Sequence, residues 1–424
     1  MKEDWIEIEF GKLCTFSQGI QVPIKEQFTE TNNDRVRFLR IIDFTQGDEP
    51  ERYVKSIEGN HLVSKNDISM VRYGTVGFVC TGKQGAIANN LFRIIPNINV
   101  EKKYLIQFLK SSLFRQYINA KGATMQALSF GLIKPIKIPL APLPIQRAIV
   151  SKIETLFSDL DNGIADLKKA QAQLKIYRQA VLKKAFEGEL IIKSKKDKLI
   201  NVTSKIGSGS TPKGGGANYK ESGIPLVRSL NIHFDFIKYD GLAFIDESQA
   251  EKLKNVIVNE GDVLLNITGA SIGRVNIAPK EFHNGRVNQH VSIVRPKENS
   301  FDSKFLKYFL QSSDIQNWIS NANYGVTRQA LTKGMLENLK IPLPKIEEQH
   351  QIVREIKSRL SICDKLEQSI TEALKKSEAL RQSILKKAFE GKLLSETEIA
   401  HCKQEADYEP ASVLLEKIEK EKKK

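Results

Sequence analysis

The chain has 424 residues, with 65 Lys plus Arg against 50 Asp plus Glu, a net charge of +15. An apolar fraction of 41% excludes a wholly disordered chain, and the length suits two to three domains. No stretch approaches 18 consecutive apolar residues, which excludes a membrane helix, and the acidic start MKEDWIEIEF reads as no signal peptide. The four cysteines (Cys14, Cys80, Cys363, Cys402) show no CxxC spacing, so neither a zinc ribbon nor a disulfide framework is expected, and a reducing cytoplasmic setting is.

In chain order, residues 1–143 read as a first globular α/β (α+β) domain. Short apolar runs such as VRFLRII suggest strands, and Tyr104, Phe108, Phe114 and Ile118 suggest helix over 103–120. Residues 144–190 read as one long helix. Ile153, Leu160, Leu167, Leu174 and Val181 recur every seven residues, with a second seam at Leu156, Gly163, Ala170 and Tyr177. Pro142 and Pro144 precede it, and Gly188 is placed to end it. Residues 191–346 form a second globular domain, with strands predicted at DVLLNI and HVSIVRP and helix over 304–321. Its Gly-rich stretch 207–220 is expected to lack regular structure.

Residues 347–393 repeat the long helix. The seams are Ile356, Cys363, Ile370, Ser377 and Ile384, and Arg359, Leu366, Ala373 and Leu380. Heptads sustained this long argue a coiled coil, and two matched helices in one chain most simply pair antiparallel. Residues 394–424 read as a charged tail helix.

The two helical parts are copies. At a constant offset of 203, residues 137–190 and 340–393 share 21 identities in 54 ungapped positions, including LKKAFEG at 182–188 and 385–391. Weaker matches run upstream: FLRIIDF at 38–44 with LVRSLNI at 226–232, and NNLFRIIP at 89–96 with NQHVSIVRP at 288–296. The chain is therefore a duplication of a globular part followed by a helical part, the globular parts having diverged.

Catalytic signatures are missing. There is no GxxxxGK[ST], GxGxxG, HExxH or deaminase HxE…PCxxC, and no [ND]PP[FYW] tetrapeptide of amino-methyltransferases. The expectation is a non-catalytic chain. Distributed positive charge favours a polyanion, and two diverged heads on a spacer can read two separated DNA half-sites. The alternative is a coiled-coil scaffold bridging two protein partners without touching DNA.

The sequence resembles the specificity subunits of Type I restriction–modification systems over essentially its whole length. The resemblance rests on Ile341-Pro342-Leu343-Pro344…Glu348-Gln349…Ile352, on the two LKKAFEG helix ends, on GSGSTPKGGGANYKESGIPLVRSLNI, and on EPASVLLEKIEKEKKK. It departs at LAPLPIQ, which lacks the Glu before Gln146, and at FSQGIQVPIK, where the first head lacks a GSGSTP-type opening. The resemblance implies two target recognition domains on duplex DNA, an antiparallel spacer binding two modification subunits, and restriction subunits joining them. It also implies that S-adenosylmethionine and adenine methylation belong to the modification subunits, with no cofactor in this chain.

Base readout is expected from polar side chains on the diverged heads, since Arg and Asn/Gln suit bidentate reading of G and A. The candidates in the first head are Gln21, Lys25, Arg35, Arg37, Arg40, Arg72, Tyr73 and Asn89. Those in the second are Lys213, Asn218, Tyr219, Arg228, Asn231, Arg274, Arg286, Asn288 and Gln289. Arg40 and Arg228 match in the repeat, which hints at backbone contact or fold support. The helical seams do not require Lys183, Lys184, Phe186 and Glu187 to match Lys386, Lys387, Phe389 and Glu390. Two identical surfaces are thus expected to bind two identical partners, the alternative being that both helix ends dock on neighbouring heads.

Overall fold

The computed structural model describes residues 3–45, 49–56, 58–96, 100–120, 127–188, 191, 193–212, 215–322 and 330–421. Two compact units result: Met1–Leu167 with Glu372–Lys424, and Lys168–Thr371. The division cuts both long helices, Leu143–Glu187 and Ile346–Phe389. Each unit therefore combines one head with the start of one long helix and the end of the other.

Within the first unit, Ile145 and Ile149 line a cavity with Ala388, while Asp161 pairs with Arg381. Within the second, Lys184 and Ala185 lie beside Ile352 and Glu355, while Arg178 pairs with Asp364 and Glu367. Rising numbers on one helix meet falling numbers on the other, so the helices run antiparallel in both units. The two ion pairs obey the repeat, because 161 + 203 = 364 and 178 + 203 = 381. The first heptad seam is the packed one: Ile153, Val181, Ile356, Cys363, Ile370 and Ile384 are buried. The second seam lies at an open edge, with Tyr177, Leu366 and Leu380 about half exposed. Two helices cover one stripe of each other and leave this edge to solvent.

The heads share one topology. A four-stranded antiparallel sheet runs Cys14–Gln18, Leu91–Pro96, Ile68–Val71, Val79–Cys80 in the first and Thr203–Ser208, Val291–Pro296, Val263–Asn266, Val275–Ile277 in the second. A second sheet centres on a parallel pair, Arg35–Leu39 with Gly85–Ile87 and Ile224–Val227 with Arg286–Val287. A two-stranded ribbon closes each head at the foot of a long helix, Ile6–Glu9 with Lys137–Leu140 and Lys195–Lys198 with Lys340–Leu343.

Each predicted amphipathic helix is two helices, Lys102–Lys110 with Ser112–Ala120 and Ser303–Gln311 with Ser313–Ala322. Buried Ser111 and Ser312 cause the break, their hydroxyls donating to the carbonyls of Phe108 and Phe309. The stretch 207–220 is also more regular than expected, because residues 207–208 continue a strand and Gly215–Asn218 form a 3-10 turn.

Gln146 and Gln349 fix the start of each long helix. Both are fully buried. Gln146 accepts from the Glu101 N–H at 3.0 Å and donates to the Ala141 carbonyl at 2.7 Å. Gln349 accepts from the Asp302 N–H at 2.8 Å and donates to the Pro344 carbonyl at 2.9 Å. Each glutamine thereby ties its long helix to the cap of the neighbouring amphipathic helix.

The tail is two helices rather than one, Glu396–Cys402 and Ala411–Glu421, separated by a turn ending at Pro410. It packs on the first unit, burying Leu394, Cys402, Ala411, Leu414 and Ile418. Arg147 bonds Glu405 and Asp407, Lys152 bonds Glu398, and Tyr408 donates to Asp4 at 2.8 Å. The tail accounts for the missing Glu before Gln146. Glu348 caps its helix by accepting from the Lys345 N–H, but Ile145 at the same repeat position is buried beside Trp5 and Leu394.

Candidate nucleic-acid interface

In each head three segments converge where the strands end. Gly19 donates to the Leu91 carbonyl, whereas Gly209 donates to that of Asn288, three places earlier in the repeat. A Cβ on Gly19 would lie 2.4 Å from the Ile87 carbonyl oxygen, and one on Gly209 would lie 1.8 Å from that of Val287, the matching residue. Glycine is required at both places because the backbones touch. The third segment is held in the same way in both heads. Arg72 donates to the Asn90 carbonyl and receives Leu128, while Ile267 donates to the His290 carbonyl and receives Leu331. This sets Gln21 against Thr211, Asn89 against Gln289, and Tyr73 against Thr268. The openings FSQG and KIGSG, dissimilar as sequence, occupy one place.

Several predicted readers meet here. Asn89 Nδ2 donates to Gln21 Oε1 at 3.4 Å. Gln289 accepts from Thr211, and its Nε2 lies 3.1 Å from His290 Nε2. His290 Nδ1 in turn bonds Thr268 Oγ1. Tyr73, Gln21 and Gln289 are exposed, and the Arg72 guanidinium sits 5.2 Å from the Tyr73 ring centroid. Asn218 and Lys25 are exposed on 3-10 turns. Arg228 covers Tyr219 at 5.0 Å and donates to the Gly241 carbonyl. Arg274 lies 3.4 Å from His233 Nδ1. Lys213 lies outside the described residues.

Other predicted readers are turned inward, which corrects their assignment. Arg286 is 6% exposed and donates to the carbonyls of Ala250, Asn284 and Gly285. Burial lowers its pKa from the ordinary value. Asn288 is buried and its side chain accepts from the His290 N–H, shaping the turn that presents Gln289. Asn231 is fully buried, accepting from the Arg228 N–H at 3.0 Å and donating to the Lys238 carbonyl.

Asp43 fills the Asn231 place in the first head, accepting from the Arg40 N–H at 2.8 Å. It also pairs with Arg37 and Arg40. Burial alone would raise its pKa. The Arg40 hydrogen bonds and the Arg40 and Arg37 charges more than offset that and hold it below the usual carboxylate value. Glu51 and Glu49 take further contacts of Arg37 and Arg40, so both arginines are committed to the fold. Arg35 stacks 3.5 Å from the Phe28 ring centroid and donates to the Glu30 carbonyl.

Sequence reasoning missed Thr211, Thr268 and His290. The signal was the pair Gly19 and Gly209, which aligns the loop openings once the close approach is known.

The helix ends also need correction. Phe389 is 4% exposed, packed on Tyr104 and Phe108 at centroid distances of 5.1 and 5.2 Å. Phe186, half-buried, packs on Phe305 and Phe309 at 5.4 and 5.5 Å. Both rings therefore serve the amphipathic helix of their own unit. Lys183, Lys184, Glu187, Lys386, Lys387 and Glu390 remain exposed, with Lys183–Glu187 and Lys386–Glu390 as matching i,i+4 pairs.

Among the described residues no group of three or more His, Cys, Asp or Glu could hold a metal ion, and no helix is long and apolar enough to cross a membrane.

The family described as Type I restriction modification DNA specificity domain matches residues 2–169 and again 196–376. The chain is 27% identical to the Type I restriction enzyme EcoBI specificity subunit of Escherichia coli, over 99% of this chain and 93% of the relative. It is 24% identical to the MjaVIII specificity subunit of Methanocaldococcus jannaschii, over 84% and 86%. The HsdS subunit from Thermoanaerobacter tengcongensis shares the fold with a TM-score of 0.57 at 20% identity, over 93% of this chain and 98% of that one. A chain from a structure of the type I R-M system, concerned with its complex assembly and conformational transition, gives 0.70 at 20% identity, over 92% and 98%.

Proposed function

The chain belongs to the Type I restriction modification DNA specificity family, and from that premise we propose that each head reads one half of a bipartite duplex site. The carrying observation is that one backbone scheme recurs in both heads with different polar side chains on it. That is what two related readers of two different sequences require. The alternative, a scaffold that never touches DNA, gives no reason for side chains to diverge on a preserved scheme.

The chain recognises without catalysing. Adenine methylation, with its S-adenosylmethionine, falls to two modification subunits, and restriction subunits join the complex for cleavage. The antiparallel helices hold the modification subunits and set the gap between half-sites. The matched charges Lys183, Lys184, Glu187 and Lys386, Lys387, Glu390, together with the open edge at Tyr177, Leu366 and Leu380, support this reading of the helix pair.

Footprinting of the full chain with its modification subunits tests the proposal. Two protected blocks separated by an unprotected gap are expected, with affinity falling steeply as salt rises because phosphate contacts release counterions. A single block, or methyl transfer by the chain alone, would overturn it. Reversing Lys183 and Lys184 to Glu should cost one modification subunit in native mass spectra, and reversing Lys386 and Lys387 as well should cost the second.

A further inference from the structure

Resting on that reading of the heads, we infer that Gln289 reads an adenine in the half-site of the second head, and that the Gln21–Asn89 pair occupies the equivalent reading position in the first. The inference starts from the equivalence of positions. Gly19 and Gly209 press their loops onto the strand-end backbone, and the bonds from Arg72 to Asn90 and from Ile267 to His290 complete the same frame. In both heads a side chain two residues after the glycine reaches the side chain just before residue 90 or 290. Gln21 receives Asn89 in one head, and Thr211 donates to Gln289 in the other. The backbone frame is shared apart from the carbonyl that the glycine N–H meets, and the two facing side chains differ. Gln21 and Gln289 are both exposed.

The chemistry of the second head holds the amide in place from both ends. Thr211 Oγ1 donates to Gln289 Oε1, and Gln289 Nε2 donates to His290 Nε2. An imidazole that accepts at Nε2 carries its proton on Nδ1, which then donates to Thr268 Oγ1. Donors and acceptors then run in one direction from Thr211 to Thr268, and the reversed chain, with the amide turned over and the imidazole proton on Nε2, satisfies the same three contacts. Its second N–H and second carbonyl lone pair remain for a ligand. A donor and an acceptor side by side match N7 and the N6 amino group of adenine in the major groove. Thr211, His290 and Thr268 are positioning residues that act through Gln289. Buried Asn288 supports the turn from beneath by accepting from the His290 N–H.

The first head presents a different arrangement at the same place. Asn89 Nδ2 is spent on Gln21, and the Asn89 carbonyl on the main chain accepts from Gln18 Nε2 at 3.4 Å. The groups offered are then the Gln21 amide N–H and the Asn89 side-chain oxygen, on two residues instead of one. Donor and acceptor are therefore spaced differently from those of Gln289, as suits a different half-site.

The test is selection from a randomised duplex library by the full chain with its modification subunits. The unaltered protein is expected to select a bipartite site with adenine at one position of one half. Gln289→Glu replaces donor plus acceptor by acceptors only, and should move the preference at that position to cytosine, whose N4 amino group donates. Gln289→Ala should lower affinity for the selected site about ten- to hundredfold, the range of one bidentate pair, and admit any base there. Thr211→Val should relax the same position alone, and Thr211→Ser should restore it. The other half-site stays unchanged in every variant. A Gln289→Glu protein that selects the original site, or one altered in both halves, would overturn the assignment. Failure of the unaltered protein to select any bipartite site would instead overturn the reading of the heads.

Discussion

Phe389 meets Phe108 edge to face, with ring planes at 78°, and with the Phe389–Tyr104 contact this helps join the end of the second long helix to the head of the first unit. Its counterpart, Phe186 on Phe309 at 73°, does the same in the second unit. Phe389→Ala should cost about 3–5 kcal/mol, the range for truncating a buried aromatic ring. Phe186→Ala should cost less, since its ring is only half-buried. Thermal unfolding of the two variants checks the order. Equal losses, or no loss, would return these rings to the role of partner contacts.

Gln349→Leu keeps the volume at the buried helix start but strands the Asp302 N–H and the Pro344 carbonyl. Each orphaned buried group costs about 1–3 kcal/mol, so a loss of roughly 2–6 kcal/mol is expected in denaturant unfolding. Gln146→Leu should behave alike, because it orphans the Glu101 N–H and the Ala141 carbonyl.

Arg286→Met separates fold support from base reading. The three carbonyls that Arg286 caps would lose a buried donor, at a cost on the order of 2–4 kcal/mol. The bases selected by the surviving folded protein should stay the same. Altered bases with unaltered stability would place Arg286 on the DNA instead.

Acid should loosen the tail. The Ser395 backbone N–H, with further bonds from Lys152 and the Ser395 hydroxyl, holds Glu398 well below the usual carboxylate value, at about 2. A depressed folded-state pKa contributes stability above the unfolded value, and that stability is lost as protons bind on falling pH. The window runs from the unperturbed value of 4.5 down to about 2. Amide exchange over residues 396–402 should accelerate across it, relative to the core strand Val263–Asn266. Glu398→Gln should remove this difference in pH response, and a variant that still showed it would place the titrating group elsewhere.

The duplication and the long helices were legible because identity and heptad spacing are local properties of the chain. What the helix ends touch was not. The seams explained Val181 and Ile384 but left Phe186 and Phe389 unassigned, and only the fold brings Phe305 and Phe108 beneath them. The polar readers divided for a similar reason. Asn231, Arg286 and Asn288 have the composition of DNA-contacting residues, yet buried backbone groups must find partners and these side chains serve them. Gln21 and Thr211 share no chemistry, so no alignment by residue type could have equated them. The close approach at Gly19 and Gly209 does so through geometry.

The tail gives the two units different histories during synthesis. Residues 168–371 of the second unit are contiguous, so all its partners leave the ribosome together. The first unit begins earlier but cannot finish. Ile145 and Ile149 wait for Ala388 and Leu394, Arg147 waits for Asp407, and the Asp4 carbonyl waits for the Ala411 N–H. Domains fold as units during translation, so the half made last is the one that starts first. The apolar surface around Trp5 and Ile145 stays uncovered through most of elongation, and a truncated product lacking residues 394–421 should expose it and aggregate, even though its second unit is complete.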